Sequence, residues 1–190
     1  AYGAVITPDL ASAVALLGAT YFAYKWFANP TWSLALCLSG ALAIAMLSKS
    51  VWLILPMLLV VAWLAYGTLA YARKRFAGGT TFASFTPGQW WVQAFQIGVI
   101  SAGALLLVNA FYGFQGSLTP LGEFEFVSQT LAGPPECVDC GWQRGNRFEE
   151  SVLAGFPVPL PANYVAGIDI QRRDFESGMT NPAWQSYLFG

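Results

Sequence analysis

Apolar residues along the chain fall into four long runs separated by short polar breaks, after which the pattern changes. The runs cover 10–27, 32–48, 51–72 and 90–112. A helix needs about 20 residues to cross the roughly 30 Å hydrocarbon core of a bilayer, and about 17 suffice at the short end. The first, third and fourth runs meet that length. The second is slightly short, but its flanking Thr31, Ser48 and Lys49 suit the headgroup region. Asn29-Pro30 signals a turn between the first two runs. Pro56 falls in the first turns of the third, where a proline is tolerated and a kink is compatible with a membrane helix. Aromatic residues gather near the ends of the runs: Tyr21, Tyr24, Trp26 and Trp32, then Trp63, Tyr66 and Tyr71, then Trp90 and Trp91. That matches the belt that amphipathic rings form at a membrane–water boundary. The expected fold is an all-α membrane protein, with a transmembrane region over 1–112. An irregular extracytoplasmic loop domain rich in Pro and Gly follows over 113–190.

Charge placement sharpens this picture. Charged residues make up 10% of the chain, against about 25% in soluble domains. From residue 10 to residue 122 no carboxylate occurs, and the only charges are Lys25, Lys49, Arg73, Lys74 and Arg75. The other acids, Asp9 apart, and the other arginines all lie beyond residue 122. Arg73-Lys74-Arg75 is the strongest basic cluster beside any run, so the loop over 73–89 is expected to be cytoplasmic. Counting back puts Lys25 on the cytoplasmic side. Asp9, Lys49 and the tail from Gly113 fall outside. The chain starts at Ala1 without a signal-peptide n-region and stops at Gly190 in a polar stretch, and is expected to be an internal piece of a longer protein.

The absence of histidine removes a Ser-His-Asp triad, a His-paired cysteine and the HExxH zinc motif. With a net charge of -1 and no basic stripe, no nucleic-acid partner is expected. Asp9 and Lys49 are the candidate chemical pair, one at the outer start of the first run and one at the outer end of the second. Helices joined by so short a turn pack antiparallel, which makes these two ends candidate neighbours. They admit a structural reading, Asp9 as a helix cap and Lys49 as a snorkelling anchor. They also admit a functional one, an outward-facing site in which Lys49 holds a phosphate and Asp9 serves a metal or acts as a base. Cys137 and Cys140 are candidates for a disulfide in an oxidising compartment, with half a zinc site as the weaker alternative. Asp169, Arg172, Arg173, Asp174 and Glu176 form a charged cluster, either a solvated loop or a grip for an acceptor or anionic lipid head. Gln89, Gln93 and Gln96 recur near helical spacing on the fourth run and keep a transporter subunit among the readings. A membrane anchor displaying the tail is another.

Thr7-Pro8-Asp9-Leu10 opening one span, with Gly40 through Ser48-Lys49 closing the next, resembles an arrangement found in bacterial membrane glycosyltransferases of family 39. That family includes the protein O-mannosyltransferases and the lipid A aminoarabinose transferase. The segment from Pro157 through Asn163-Tyr164, Gly167, Asp169 and Gln171, continuing to Ser186-Tyr187-Leu188 and Gly190, is similar to uncharacterised members. The resemblance implies a GT-C fold in the bacterial inner membrane. It implies transfer of a sugar from a polyprenyl-phosphate donor to a protein, lipid or glycan acceptor on the outer face. A divalent metal is often used, and no nucleotide cofactor is expected. It places Asp9 in the catalytic cavity and makes Lys49 the candidate for the carrier phosphate. The principal catalytic acid is expected upstream of this stretch, so these residues alone are expected to be inactive.

Overall fold

The computed structural model describes residues 8–77, 87–133 and 144–176. Four helices make up the apolar half: α1 (Pro8–Ala28), α2 (Trp32–Ser48), α3 (Leu55–Ala77) and α4 (Pro87–Phe111). Beyond them lie the single-turn α5 (Gln129–Ala132) and the longer α6 (Ala162–Glu176). The described residues contain no strand. Two isolated antiparallel bridges, Pro120–Pro157 and Phe126–Gly145, are the extended pairings among them. The all-α expectation therefore holds at the level of secondary structure.

The boundaries follow local chemistry. The Thr31 hydroxyl accepts the Leu34 amide and caps α2, while the Asn29 amide closes α1 on the Lys25 carbonyl. At the far end of α2, Lys49 is extended (φ -157°, ψ 126°) and breaks the helix. A 3₁₀ helix, Ser50–Ile54, then leads into α3. Pro56 is the second residue of α3. Its missing N–H falls among the first-turn donors that have no helical acceptor, so it starts the helix. Two stretches, Ser50–Leu69 of 20 residues and Trp90–Phe111 of 22, are long and apolar enough to cross a membrane, and α2 is a shorter apolar helix. The first run was expected to join them. α1 has 21 residues, but Asp9 and Lys25 stand in its end turns, and it is not among the stretches that meet both length and composition.

The chain divides into two units, residues 1–108 and 109–190. The interior of the first is mostly apolar, with Leu38, Leu42, Met46 and Ile100 buried, but it also encloses a few polar side chains, and many apolar residues face outward. Leu10, Val14 and Leu17 on α1, Leu36 and Ile44 on α2, Val60, Val61 and Leu64 on α3, and Val92, Phe95 and Leu106 on α4 are exposed. Ser12, Ser39, Gln93 and Gln96 are buried. Two indoles meet the glutamines: Trp26 Nε1 donates to Gln96 Oε1 at 3.0 Å and Trp63 Nε1 to Gln93 Oε1 at 2.9 Å. Trp26 and Trp63 were expected in an interfacial belt. They are instead 1% and 8% exposed, drawn inward because an indole N–H needs an acceptor when its ring is buried. Two close approaches need a missing side chain. A Cβ on Gly67 would collide with the Trp90 ring, and one on Gly103 would lie 2.5 Å from Ser39 Oγ.

In the second unit, Asn109 belongs to the last turns of α4, yet its side chain bonds into the tail. Its Nδ2 donates to the Pro159 carbonyl at 3.0 Å and its Oδ1 accepts from Ser117 Oγ at 2.5 Å. Phe114 (φ 57°) and Leu118 (φ 65°) occupy the left-handed region, which costs a non-glycine residue roughly 1–2 kcal/mol. Asn146 ties the loop together, donating to the Leu121 and Phe124 carbonyls and accepting the Phe148 amide.

Replacing Gln96 by Leu leaves the Trp26 donor buried without an acceptor. The Gln96→Leu variant should lose about 1–2 kcal/mol of stability in detergent denaturation. The Trp26→Phe/Gln96→Leu pair should lose less than the sum of its singles, with a coupling of about 0.5–1.5 kcal/mol.

Candidate functional site

Asp9 and Lys49 are brought together. Lys49 Nζ lies 2.8 Å from Asp9 Oδ1, and both side chains are open, at 45% and 70% exposure. Helix lengths explain the meeting. At 1.5 Å per residue, the 17 residues of α2 return about 26 Å along the roughly 30 Å of α1. Lys49 therefore ends about one turn short of Asp9, and its long side chain spans the difference. Asp9 sits in the first turn of α1, where the helix dipole favours a carboxylate. One turn further on, Ser12 Oγ accepts the Trp52 indole N–H at 2.5 Å. Asp9 and Ser12, on one face of α1, thus hold the 49–52 segment by a charged and a neutral bond.

An exposed ion pair of this kind contributes about 0–1 kcal/mol in water. It is easily exchanged, so an incoming anion can take Lys49 without a large penalty. Its geometry also limits its chemistry. At 2.8 Å no sugar ring fits between the two groups, whereas displacement at a glycosidic carbon needs nucleophile activation and leaving-group stabilisation on opposite faces. Asp9 is placed to orient the Lys49 ammonium. Among the described residues Asp9 has no second carboxylate beside it with which to share a divalent cation. It is one carboxylate in contact with an ammonium, and no group of three or more metal-ligating side chains occurs among the described residues.

The remaining candidates fall differently. Cys137 and Cys140 lie outside the described residues. The charged cluster, expected as a solvated loop or as a grip for an acceptor or anionic lipid head, lies on helix α6, and its side chains are largely committed. Asp169, 2% exposed, accepts the Val127 amide at 2.6 Å and the Ser128 amide at 2.9 Å. Glu176 accepts the Gln129 amide at 2.6 Å, the Thr130 amide at 3.0 Å and the Thr130 hydroxyl. Between them Arg172 Nε reaches Thr130 Oγ1 and Glu176 Oε1, while Arg173 pairs with Asp174. Residues 169, 172 and 176 share one face of α6 by their i, i+3, i+7 spacing. They clasp residues 127–130 to it, which makes Arg172 a structural element more than a free hand for an acceptor. This clasp was missed because the Pro- and Gly-rich tail read as irregular loop. The spacing of the two acids was the signal present. Tyr164, buried against Tyr112 with ring centroids 6.0 Å apart, packs the other side of α6. Burial, with a smaller contribution from Tyr112, pushes its phenol up to about 12.

Comparison of the chain with protein-family models, with curated proteins and with solved structures finds no match.

Burial raises the Glu176 carboxyl, but hydrogen bonds from the Thr130 hydroxyl and amide, the Gln129 amide and Arg172 outweigh it, and the carboxyl lies below its ordinary 4.5. A lowered carboxyl stabilises the folded form fully above its unfolded value, and that contribution fades as pH falls through the folded value. Protease resistance of the tail should therefore drop below about pH 4.5, and Glu176→Gln should lower it at pH 7 and flatten the acid response. Ser128 is fully buried and its hydroxyl has no hydrogen-bond partner among the described residues. Ser128→Ala removes that orphan while keeping the clasped amide, so the tail should gain up to about 1 kcal/mol in denaturant titration.

Proposed function

We propose that this chain is part of a GT-C-like integral-membrane glycosyltransferase of the bacterial inner membrane. It passes a sugar from a polyprenyl-phosphate carrier to a protein, lipid or glycan acceptor on the outer face, and the tail 113–190 lies on that side. The observation that carries the reading is the open Lys49–Asp9 pair at the paired ends of α1 and α2. The membrane part is supported by the two apolar stretches of spanning length and by a bundle with apolar residues outside and amides within. The basic run Arg73-Lys74-Arg75 supports the orientation.

In the proposed reaction the acceptor hydroxyl oxygen attacks the anomeric carbon while the bond from that carbon to the carrier phosphate breaks. The phosphate leaves with the bonding electrons, and Lys49 stabilises the charge it gathers. Asp9 orients the Lys49 ammonium in the resting state and yields it to the phosphate. The acceptor proton goes to a carboxylate other than Asp9, since Asp9 stands on the leaving-group side with Lys49. No step is assigned to a metal. A transporter subunit draws less support, because the Gln93 and Gln96 carbonyls that suggested a polar path are engaged by Trp63 and Trp26.

Transfer from polyprenyl-phosphate sugars should be measured in membranes containing the intact protein. Lys49→Met should lower turnover by roughly 10²–10³-fold, the scale for removing one charge-stabilising donor. Lys49→Arg should retain part of the activity, and Asp9→Asn should cost about tenfold. Full activity in Lys49→Met at normal expression would overturn the assignment and leave a membrane anchor as the better account.

A further inference from the structure

Two uncharged stretches of the second unit, 109–122 and 151–168, are laid against each other. Leu118 N donates to Val158 O at 2.9 Å, Val158 N to Thr119 O at 3.1 Å, Leu121 N to Phe156 O at 2.9 Å and Gly122 N to Ala154 O at 2.9 Å. The fit is close. A Cβ on Gly122 would lie 3.0 Å from that of Ala154, and one on Gly116 would lie 2.6 Å from that of Ala162. The resulting lobe exposes Phe114, Leu118, Val152, Leu153 and Phe156, of which Val152 is fully open. Charges resume at its edges, with Glu123 after the first stretch and Glu150 before the second.

Exposure of these five large apolar side chains on one neutral lobe needs a reason. Two of them carry a second signal. Phe114 and Leu118 hold left-handed backbone at turn positions where Gly or Asn would relieve both the conformational and the solvation penalty. The chain keeps bulky apolar groups where they are unfavourable for a water-facing turn. Its tether says what they meet. Phe114 follows the spanning stretch Trp90–Phe111 by three residues, so if that stretch crosses the bilayer, the lobe begins at the lipid boundary. The backbone of the turns is hydrogen-bonded internally, Ser117 N to Phe114 O and Ala162 N to Gln115 O. That suits the headgroup–acyl boundary, where an apolar surface gains and turns are tolerated, and not the bilayer centre.

We propose that the neutral lobe built from 113–122 and 151–158 inserts Phe114, Leu118, Val152, Leu153 and Phe156 shallowly into the lipid interface, anchoring the tail to the membrane surface. The inference rests on the spanning part of the reading above, and not on the transferase part.

The test places an environment-sensitive fluorescent amino acid, by codon suppression, at Leu118, Leu153 or Phe156 of the intact protein in phosphatidylethanolamine–phosphatidylglycerol vesicles. Glu149 serves as the aqueous control and Leu107 as the control within the span. Lipids carrying a quencher at the upper acyl chain should quench the three lobe positions severalfold more than Glu149, and iodide should quench them severalfold less. Iodide quenching at all three equal to that at Glu149, with Leu107 still lipid-quenched, overturns the lobe insertion and leaves the span standing. If Leu107 behaves as Glu149 does, the spanning reading falls and the inference with it. Protection of the lobe from both quenchers means that protein covers it, which also overturns the proposal.

Discussion

Register in the apolar bundle depends on a few polar bonds between helices whose surfaces are apolar nearly all round. In an ordinary amphipathic helix one stripe dictates which side turns inward. Here apolar residues occupy both the buried and the exposed positions of α2 and α4, Leu38 and Met46 within and Leu36 and Ile44 outside, for example. Burial alone would leave several rotations nearly equal in free energy. Two indole–amide bonds distinguish them: Gln96 fixes α4 against α1 through Trp26, and three residues away Gln93 fixes it against α3 through Trp63. Because both acceptors stand on one helix at i and i+3, α4 acts as the common reference for its neighbours. Such bonds matter most if the bundle lies in lipid as proposed, since apolar contact between helices then gains little over contact with acyl chains.

The second unit solves the opposite problem. It has too few long elements to be ordered by packing, and it uses side chains to satisfy loop amides and carbonyls. Asp169 and Glu176 on α6 take four backbone amides over 127–130. Asn146 and Asn109 supply amide groups to carbonyls of other segments. Each of these groups would carry an unmet hydrogen bond if the loops moved apart, which makes the arrangement cooperative although each bond contributes only about 1 kcal/mol net.

What the sequence disclosed follows from where its signals are local. The bounds of α2 could be read because Asn29-Pro30 and Lys49 interrupt an otherwise uniform run, and the meeting of Asp9 with Lys49 followed from the shortness of that turn. The placement of Trp26 and Trp63 could not be read. Near the end of a span, a tryptophan facing lipid and one turned to an internal glutamine have the same sequence context. The choice is made by a partner 70 residues away for Trp26 and 30 for Trp63. The clasp on α6 was hidden likewise, since its acids bind amides 40 and more residues earlier in the chain.

The ion pair at the paired ends of α1 and α2 differs from these structural bonds in one respect that bears on function. The indole–amide bonds are buried and would be costly to break, whereas Lys49 and Asp9 are both accessible. The neighbouring Ser12–Trp52 contact already ties the same two segments. Removing the ion pair would therefore leave the helix ends joined. That redundancy is what a displaceable cation requires: Lys49 can turn from Asp9 to an anionic ligand while the backbone that presents it stays in place. For the reaction proposed above a lysine is the suitable residue, because its compact ammonium on a flexible stem would follow a phosphate as charge builds on it, where the planar fork of an arginine would favour one fixed geometry.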